Sequence, residues 1–131
     1  METLKVKIEK EISMEVLENI FVTAIEGGSN YWYTINESAY KAVKRTIIGE
    51  AFSTSLFKCV CQIGMTVPIN DAEDEEEVLG YLDYSKFAER IQKMYAKGDG
   101  WAMDLELDES GDANSSDVVF QYLVMGDLVF G

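Results

Sequence analysis

The sequence predicts a single compact α+β domain over residues 1–131, with a mostly antiparallel or mixed sheet packed against three to four helices. Three observations support this fold class. Some segments alternate apolar and polar residues, as strands do, while others repeat apolar residues at helical spacing. A chain of 131 residues with 47% hydrophobic residues is large enough for one hydrophobic core. No internal repeat or long linker divides the sequence.

The first predicted elements are a strand followed by a helix. Residues 4–8 alternate apolar and charged side chains, which is typical of a half-buried strand. Ser13 is a suitable helix N-cap, and apolar residues of the segment 14–25 follow it at helical spacing. The glycine pair 27–28 is expected to end this helix. Residues 37–52 fit a helix or a strand by their spacing, and we predict a helix.

The middle of the chain predicts two strands and a loop. Alternation over residues 57–63 and 65–69 indicates two strands that are joined near Gly64. Pro68 has no backbone N–H to donate to a sheet, so we expect it at a sheet edge or a strand end. Residues 70–77 are rich in carboxylates and follow these strands as an acidic loop.

The last part of the chain predicts two helices and two strands. A helix over residues 85–97 begins at a serine N-cap, and alternation over 101–108 indicates a strand. Asp112 or Ser115 caps the final helix, after which residues 128–130 could add a terminal strand. The dense apolar residues of this region are expected to complete the core, although they could instead form a homodimer interface.

The composition excludes several classes of function. The chain has 24 acidic and 11 basic residues, a net charge of −13, and no histidine. A field of this sign repels nucleic acid and anionic lipid and attracts basic proteins or metal cations. The missing histidine removes the commonest general base and metal ligand, and Cys59 and Cys61 alone cannot form a four-ligand zinc site. The sequence therefore predicts no cofactor and no metal site, with both cysteines as small hydrophobic residues in a reducing compartment.

Two acidic segments are candidates for an interaction surface. Together they make up a predicted acidic face of nine side chains: Asp71, Glu73, Asp74, Glu75, Glu76, Glu77, Asp104, Glu106 and Asp108. The first segment could bind a divalent cation or imitate a phosphate backbone, and it could also be an ordinary solvated loop. The second segment, residues 104–112, has alternate carboxylates and a glycine, as calcium-binding loops do, but Gly111 falls two places later than the EF-hand pattern requires. Alternatively, this segment is a strand whose acidic face is exposed to solvent.

Four aromatic residues are candidates for ligand binding. Tyr31, Trp32 and Tyr33 are consecutive, so they cannot all be buried on one face of a strand, and at least one is expected to face a groove or a partner. With Trp101 they could stack on the ring of a nucleotide-like ligand, or they could simply fill the core. Paired carboxylates also suit a hydrolase, but no set of catalytic roles can be assembled from the sequence, so no catalytic residue is predicted.

A resemblance adds a biological setting. The segments EGGSNYW (residues 26–32) and DVVFQYLVMGDLVFG (residues 117–131) resemble those of small acidic proteins encoded by bacteriophages and integrated mobile elements. That group has no assigned activity, so the resemblance implies an accessory protein of a phage or mobile element and no site residues. The sequence shows no membrane-length apolar run and no signal-peptide core, which predicts a location in the bacterial cytoplasm.

These observations lead to one favoured hypothesis and two alternatives. The favoured hypothesis is a non-enzymatic accessory protein that binds a host or phage protein, with its acidic face imitating nucleic acid. We expect no direct nucleic-acid binding and no membrane association. The first alternative is a module that binds a small molecule through the four aromatic residues. The second alternative is a carboxylate-based hydrolase.

Overall fold

Six α-helices and a three-stranded antiparallel sheet form the described part of the chain, residues 2–6 and 9–131 of this computed structural model. The helices are α1 (Met14–Thr23), α2 (Glu37–Thr46), α3 (Phe52–Phe57), α4 (Phe87–Ala96), α5 (Trp101–Leu107) and α6 (Ala113–Met125). The strands are β1 (Tyr33–Thr34), β2 (Val67–Asp71) and β3 (Val78–Leu82), in the sheet order β1-β2-β3. The predicted α+β class is confirmed, with more helices than the three to four expected.

The first helix begins and ends where the sequence predicts. The Ser13 side chain accepts a hydrogen bond from the Val16 N–H at 3.2 Å, so it satisfies one of the free donors at the helix start. A π-helical turn, Ala24–Gly28, continues α1 and ends at the glycine pair. A Cβ atom on Gly28 would lie only 2.8 Å from the Ala113 carbonyl oxygen. A side chain is therefore excluded at the point where this turn meets the start of α6.

The sheet is a hairpin with a short third strand. Strands β2 and β3 pair in antiparallel register, from Val67 opposite Leu82 to Ile69 opposite Gly80, and a bulge follows. Strand β1 pairs only with the last two residues of β2. In the described part of the chain, the outer side of β2 at Pro68 consequently has no partner strand. This confirms the expectation that Pro68 lies at a sheet edge.

Helix α6 is the centre of the core. Ten consecutive residues, Ser115–Val124, are buried, and the helix packs on α1, α4, α5 and β3. The Phe120 ring lies 5.8 Å from that of Phe21 and 6.0 Å from that of Trp32. Asp112 is the N-cap, and it exchanges two hydrogen bonds with Ser115 in a capping box. The apolar residues of α6 therefore complete the core, as predicted.

The strand predicted over residues 57–63 is wrong. Helix α3 covers its first residue, and a π-helical turn, Lys58–Ile63, continues that helix to Gly64. The buried side chains here are Leu56, Phe57, Cys59 and Val60, which follow a helical period. Both thiols are free, with Cys59 buried and Cys61 partly buried, and burial raises the pKa of the Cys61 thiol to about 12. The second predicted strand, 65–69, is found as β2 with a shift of two residues.

The strand predicted over residues 101–108 is also wrong, because α5 occupies this segment. Its buried residues, Ala102 and Met103, are adjacent in sequence, whereas Trp101 and Leu105 are exposed. Adjacent buried residues lie on one side of a helix but on opposite faces of a strand. The alternation of apolar residues in α5 therefore does not reflect which side chains pack in the core.

Four other predictions need smaller corrections. Of the strand predicted over residues 4–8, residues 4–6 have no regular secondary structure and the Leu4 side chain is 91% exposed. Positions 7 and 8 lie outside the described residues. Residues 128–130 form no strand, and the helix predicted over 37–52 is interrupted between α2 and α3. The helix expected over 85–97 begins with a 3-10 turn, Tyr84–Lys86, capped by Asp83.

Candidate functional site

The segment from the last residue of β2 to the start of β3, residues 71–77, is ordered by its own aspartates, and we call it the acidic hairpin. The Asp71 carboxylate accepts the Glu73 N–H at 2.8 Å, and the Asp74 carboxylate accepts the Glu76 N–H at 3.1 Å. The Asp71 N–H donates to the Glu77 carbonyl at 2.9 Å, which closes the loop at its base. These bonds satisfy loop backbone groups locally, as aspartates do in turns. The two aspartates therefore have a structural role.

The glutamates of the acidic hairpin face solvent. Glu73, Glu75, Glu76 and Glu77 are all exposed, and within residues 2–6 and 9–131 none of their side chains has an ion pair or hydrogen-bond partner. Four like charges at such close spacing attract cations over about a Debye length, roughly 8 Å at physiological salt. The acidic hairpin is thus a fixed backbone that presents uncompensated negative charge.

The acidic residues of α5 have mixed environments. The Asp104 carboxylate accepts hydrogen bonds from the Lys10 ammonium at 2.6 Å and the Tyr95 hydroxyl at 2.7 Å, and these two donors lower its pKa. The Glu106 carboxylate accepts the hydroxyls of two serines at the start of α6. Asp108 is exposed. Asp104 and Glu106 therefore connect α5 to other parts of the fold, in addition to carrying charge.

A buried carboxylate connects two of the four candidate aromatics. The Asp117 side chain, in a residue only 5% exposed, accepts four hydrogen bonds. Its Oδ1 accepts from Ser29 Oγ and Trp32 Nε1, both at 2.7 Å. Its Oδ2 accepts from the Tyr31 hydroxyl at 2.6 Å and from Gln121 Nε2 at 3.2 Å. We call these five residues the Asp117 cluster.

The four aromatics differ in their exposure. Tyr31 is 54% exposed, while its hydroxyl is held by Asp117, and burial of that hydroxyl together with this bond raises its pKa to about 12. Trp32 is buried. Tyr33 is partly buried and donates to the Ile25 carbonyl at 2.7 Å. Trp101 lies on α5 and is exposed. The Asp117 cluster thus brings Tyr31 and Trp32 together, while Tyr33 and Trp101 have other surroundings.

Sequence reasoning missed the role of Asp117. Its position near the start of a predicted helix is explained by helix electrostatics alone, so it gave no further signal. Its donors Ser29, Tyr31 and Trp32 are 85 to 88 residues away in sequence. The segments 26–32 and 117–131 each contribute residues to this cluster, which is a connection that only the fold reveals.

Two of the surface clefts formed by the described residues are large enough to consider as binding sites. The larger, about 330 Å³, lies between the start of α1 and the end of α5, and polar side chains line it: Ser13, Glu15, Asn19, Glu106, Glu109 and Ser116. The second, about 280 Å³, lies between α2 and the start of β2. Neither cleft is lined by any of the four candidate aromatics. Among the described residues, no three or more cysteine, aspartate or glutamate side chains are placed to hold a metal ion.

Two further findings bear on function. Within the part of the chain that the structure describes, no helix has the length and apolarity needed to cross a membrane. Comparison of this chain with protein-family models, with curated proteins and with solved structures finds no match.

Proposed function

We propose that this protein is a non-enzymatic binding protein whose acidic hairpin docks onto a basic surface of a host or phage protein. The observation that carries the proposal is the set of four exposed glutamates, Glu73, Glu75, Glu76 and Glu77, on a backbone fixed by hydrogen bonds. Among the described residues, no cation neutralises them. The phage setting in the proposal comes from the resemblance of the two quoted segments.

The geometry favours binding in two ways. The loop backbone is already ordered, so little conformational entropy is lost when a partner docks. The unpaired carboxylates also attract a basic surface from a distance and speed the encounter, an effect that falls with ionic strength. A basic groove that normally binds nucleic acid offers the required field, so carboxylates of the acidic hairpin would stand where phosphates bind.

The test compares two variants of equal net charge. The first changes Glu73, Glu75, Glu76 and Glu77 to glutamine, which removes four charges without removing a hydrogen bond of the described fold. The matched control changes four exposed glutamates elsewhere to glutamine: Glu2, Glu11, Glu26 and Glu89. Both variants and the wild type are used to capture proteins from a bacterial lysate, and each captured protein is then purified and titrated.

We expect the acidic-hairpin variant to bind the purified partner at least about tenfold more weakly, because each lost charge reduces attraction to the basic surface. The control is expected to keep most of its affinity. Binding should weaken between low and high salt, and a DNA duplex should compete for the same partner. Equal loss in both variants would show a general charge effect and contradict a role for the acidic hairpin. Failure to capture any basic protein at low salt would contradict the proposal as a whole.

A further inference from the structure

The segment that follows α6, residues 127–131, covers the Trp32 side of the Asp117 cluster, and we call it the strap. The ring of Phe130 stacks on that of Trp32, with centroids 5.5 Å apart and planes inclined by 10°. Phe130 is partly buried, whereas Leu128 is 39% and Val129 59% exposed. Phe130 is therefore the most buried apolar side chain of the strap and the one that stacks on Trp32.

One buried side chain holds the strap backbone. Gln121 Oε1 accepts the N–H groups of Val129 and Phe130, both at 2.9 Å, and Gln121 Nε2 donates to the Phe130 carbonyl at 3.1 Å. Gln121 itself is fully buried. In the described part of the chain, residues 127–131 form no backbone-to-backbone hydrogen bond. The strap thus depends on a ring stack and a glutamine, together with a surface ion pair between Lys97 and Asp127.

The surface under the strap has the properties of a recognition slot. A buried glutamine amide is costly to leave without partners, so this position requires an occupant that supplies N–H donors and a carbonyl acceptor. The exposed face of a buried indole requires a flat apolar group beside them. An extended peptide with an aromatic side chain supplies all of these groups. The strap is such a peptide, and it binds to both Trp32 and Gln121.

We infer that Trp32 and Gln121 form a peptide-recognition slot, which the strap occupies within the same chain. An extended segment of a partner protein, with an aromatic side chain in the place of Phe130, displaces the strap. Charge complementarity adds to this partner's chemistry: the Ala72 N–H of the acidic hairpin donates to the Trp32 carbonyl at 2.9 Å, so the slot adjoins the acidic hairpin. Basic residues beside the aromatic side chain of the partner would lie near the negative charge of the acidic hairpin. The slot itself rests on contacts that do not involve the acidic hairpin.

Because the strap competes with an external peptide for the slot, the affinity for such a peptide shows whether the slot exists. A site covered for most of the time binds an external ligand more weakly, in proportion to the fraction of molecules in which it is open. Removing the Phe130 ring should open the slot while leaving Trp32 and Gln121 in place. The probe is a fluorescein-labelled hexapeptide with the sequence of residues 126–131, and its binding is followed by fluorescence anisotropy.

We expect the Phe130→Ala variant to bind this peptide at least about tenfold more tightly than the wild type does. The matched control is Val129→Ala, which trims an exposed side chain of the same strap and keeps the backbone bond to Gln121. It should bind like the wild type. A peptide in which alanine replaces the phenylalanine should bind none of the three proteins.

Several results would overturn the inference. One is equal affinity of the wild type and Phe130→Ala for the peptide, and another is equal binding of the alanine peptide to Phe130→Ala. A second measurement uses only the wild type: excess peptide should shift the NMR signals of the Trp32 indole N–H and the Phe130 amide, and unchanged signals would refute the slot. If the wild type dimerises at high concentration because each molecule places its strap in the slot of the other, the occupant of the slot is a second copy of the chain. That result would contradict the proposal of a partner peptide.

Discussion

The Asp117 cluster yields a sharp prediction about stability. Changing Asp117 to alanine removes the acceptor of four hydrogen bonds, and three of the donors belong to buried residues: Ser29, Trp32 and Gln121. The alanine side chain is too short to replace any of these bonds, and the packing of α6 leaves the donors in place. The variant is therefore expected to be less stable although it loses almost no apolar contact.

The magnitude follows from the number of orphaned donors. A buried polar group left without its partner costs about 1–3 kcal/mol. Gln121 Nε2 retains the Phe130 carbonyl, so two donors, Ser29 Oγ and Trp32 Nε1, lose their partner. We therefore expect a loss of about 3 kcal/mol in the free energy of unfolding, against a total of about 5–15 kcal/mol for a domain. With a urea m-value of about 1.5 kcal/mol/M, the unfolding midpoint should fall by roughly 2 M.

Equilibrium urea unfolding followed by circular dichroism measures this effect. Asp117→Asn should cost less than Asp117→Ala, because the remaining amide oxygen can still accept from Ser29 and Trp32. Asp108→Ala is the matched control at an exposed aspartate, and it should change the free energy of unfolding by less than about 0.5 kcal/mol. If Asp117→Ala unfolds within 1 kcal/mol of the wild type, as an order-of-magnitude threshold, the cluster does not stabilise the fold as argued.

Three further predictions test other parts of the fold. Gly80→Ala should lower the free energy of unfolding by about 1–3 kcal/mol or more in urea unfolding, because the added Cβ would lie 2.2 Å from the Val124 carbonyl oxygen; Gly27→Ala, with open space at its Cβ, is the control. Burial raises the pKa of Tyr33 from 10.0 to about 12, so its contribution to stability is complete below pH 10 and is lost as the pH rises from 10 to 12. Tyr33→Phe should therefore lose less stability than the wild type over that pH interval. The raised pKa of Cys61 predicts that its thiol reacts with Ellman's reagent at pH 8 at least roughly a hundredfold more slowly than free cysteine.

Each of these predictions has a result that contradicts it. If Gly80→Ala is as stable as the wild type, α6 and β3 can move apart to accommodate the added Cβ at little cost in free energy. A Tyr33 phenol that titrates near pH 10 in the folded protein, followed by its absorbance at 295 nm, would contradict the effect of burial. Rapid modification of Cys61 in the folded protein would show that the helical turn after α3 opens easily.

Local signals in the sequence were sufficient to locate the starts of α1 and α6. Ser13 before α1 and Asp112 before α6 are N-cap residues, and in the structure each accepts a backbone N–H of its helix. The glycine pair after α1 likewise marks its end. Such signals depend on residues within one or two turns of each other, so they can be found without knowledge of the fold. The acidic hairpin was equally visible, because a dense run of carboxylates favours an exposed loop.

The alternation of apolar and polar residues led to a wrong prediction of strands at two short segments. Over residues 57–63 and 101–108 the apolar residues alternate, but the packing against α1 and α6 selects a helical set of side chains for burial. Cys59 and Val60 are both buried, for example, although they are neighbours in sequence. Short windows contain too few residues to distinguish a period of 2 from one of 3.6, so tertiary packing decides the outcome.

The contacts within the candidate sites could not be predicted from the sequence, because their partners lie in different segments of the chain. Asp117 has its donors in another part of the chain, and Gln121 has its partners in the strap after α6. A sequence pattern gives no distance between such groups, whereas the fold gives each contact directly. Tyr31 and Trp32 are two of the four aromatic residues that the sequence singled out, but their grouping with Asp117 required the structure.

The position of Pro68 has a consequence for solubility in a crowded cell. An unpaired strand edge is a template on which strands of other molecules can add, and this is a common route to aggregation. Strand β1 covers only the end of β2, so the outer side at Pro68 is such an edge within the described chain. Proline contributes no N–H there, which interrupts the row of donors that an incoming strand would need. The same residue that marks the edge of the sheet thus limits its growth into an intermolecular one.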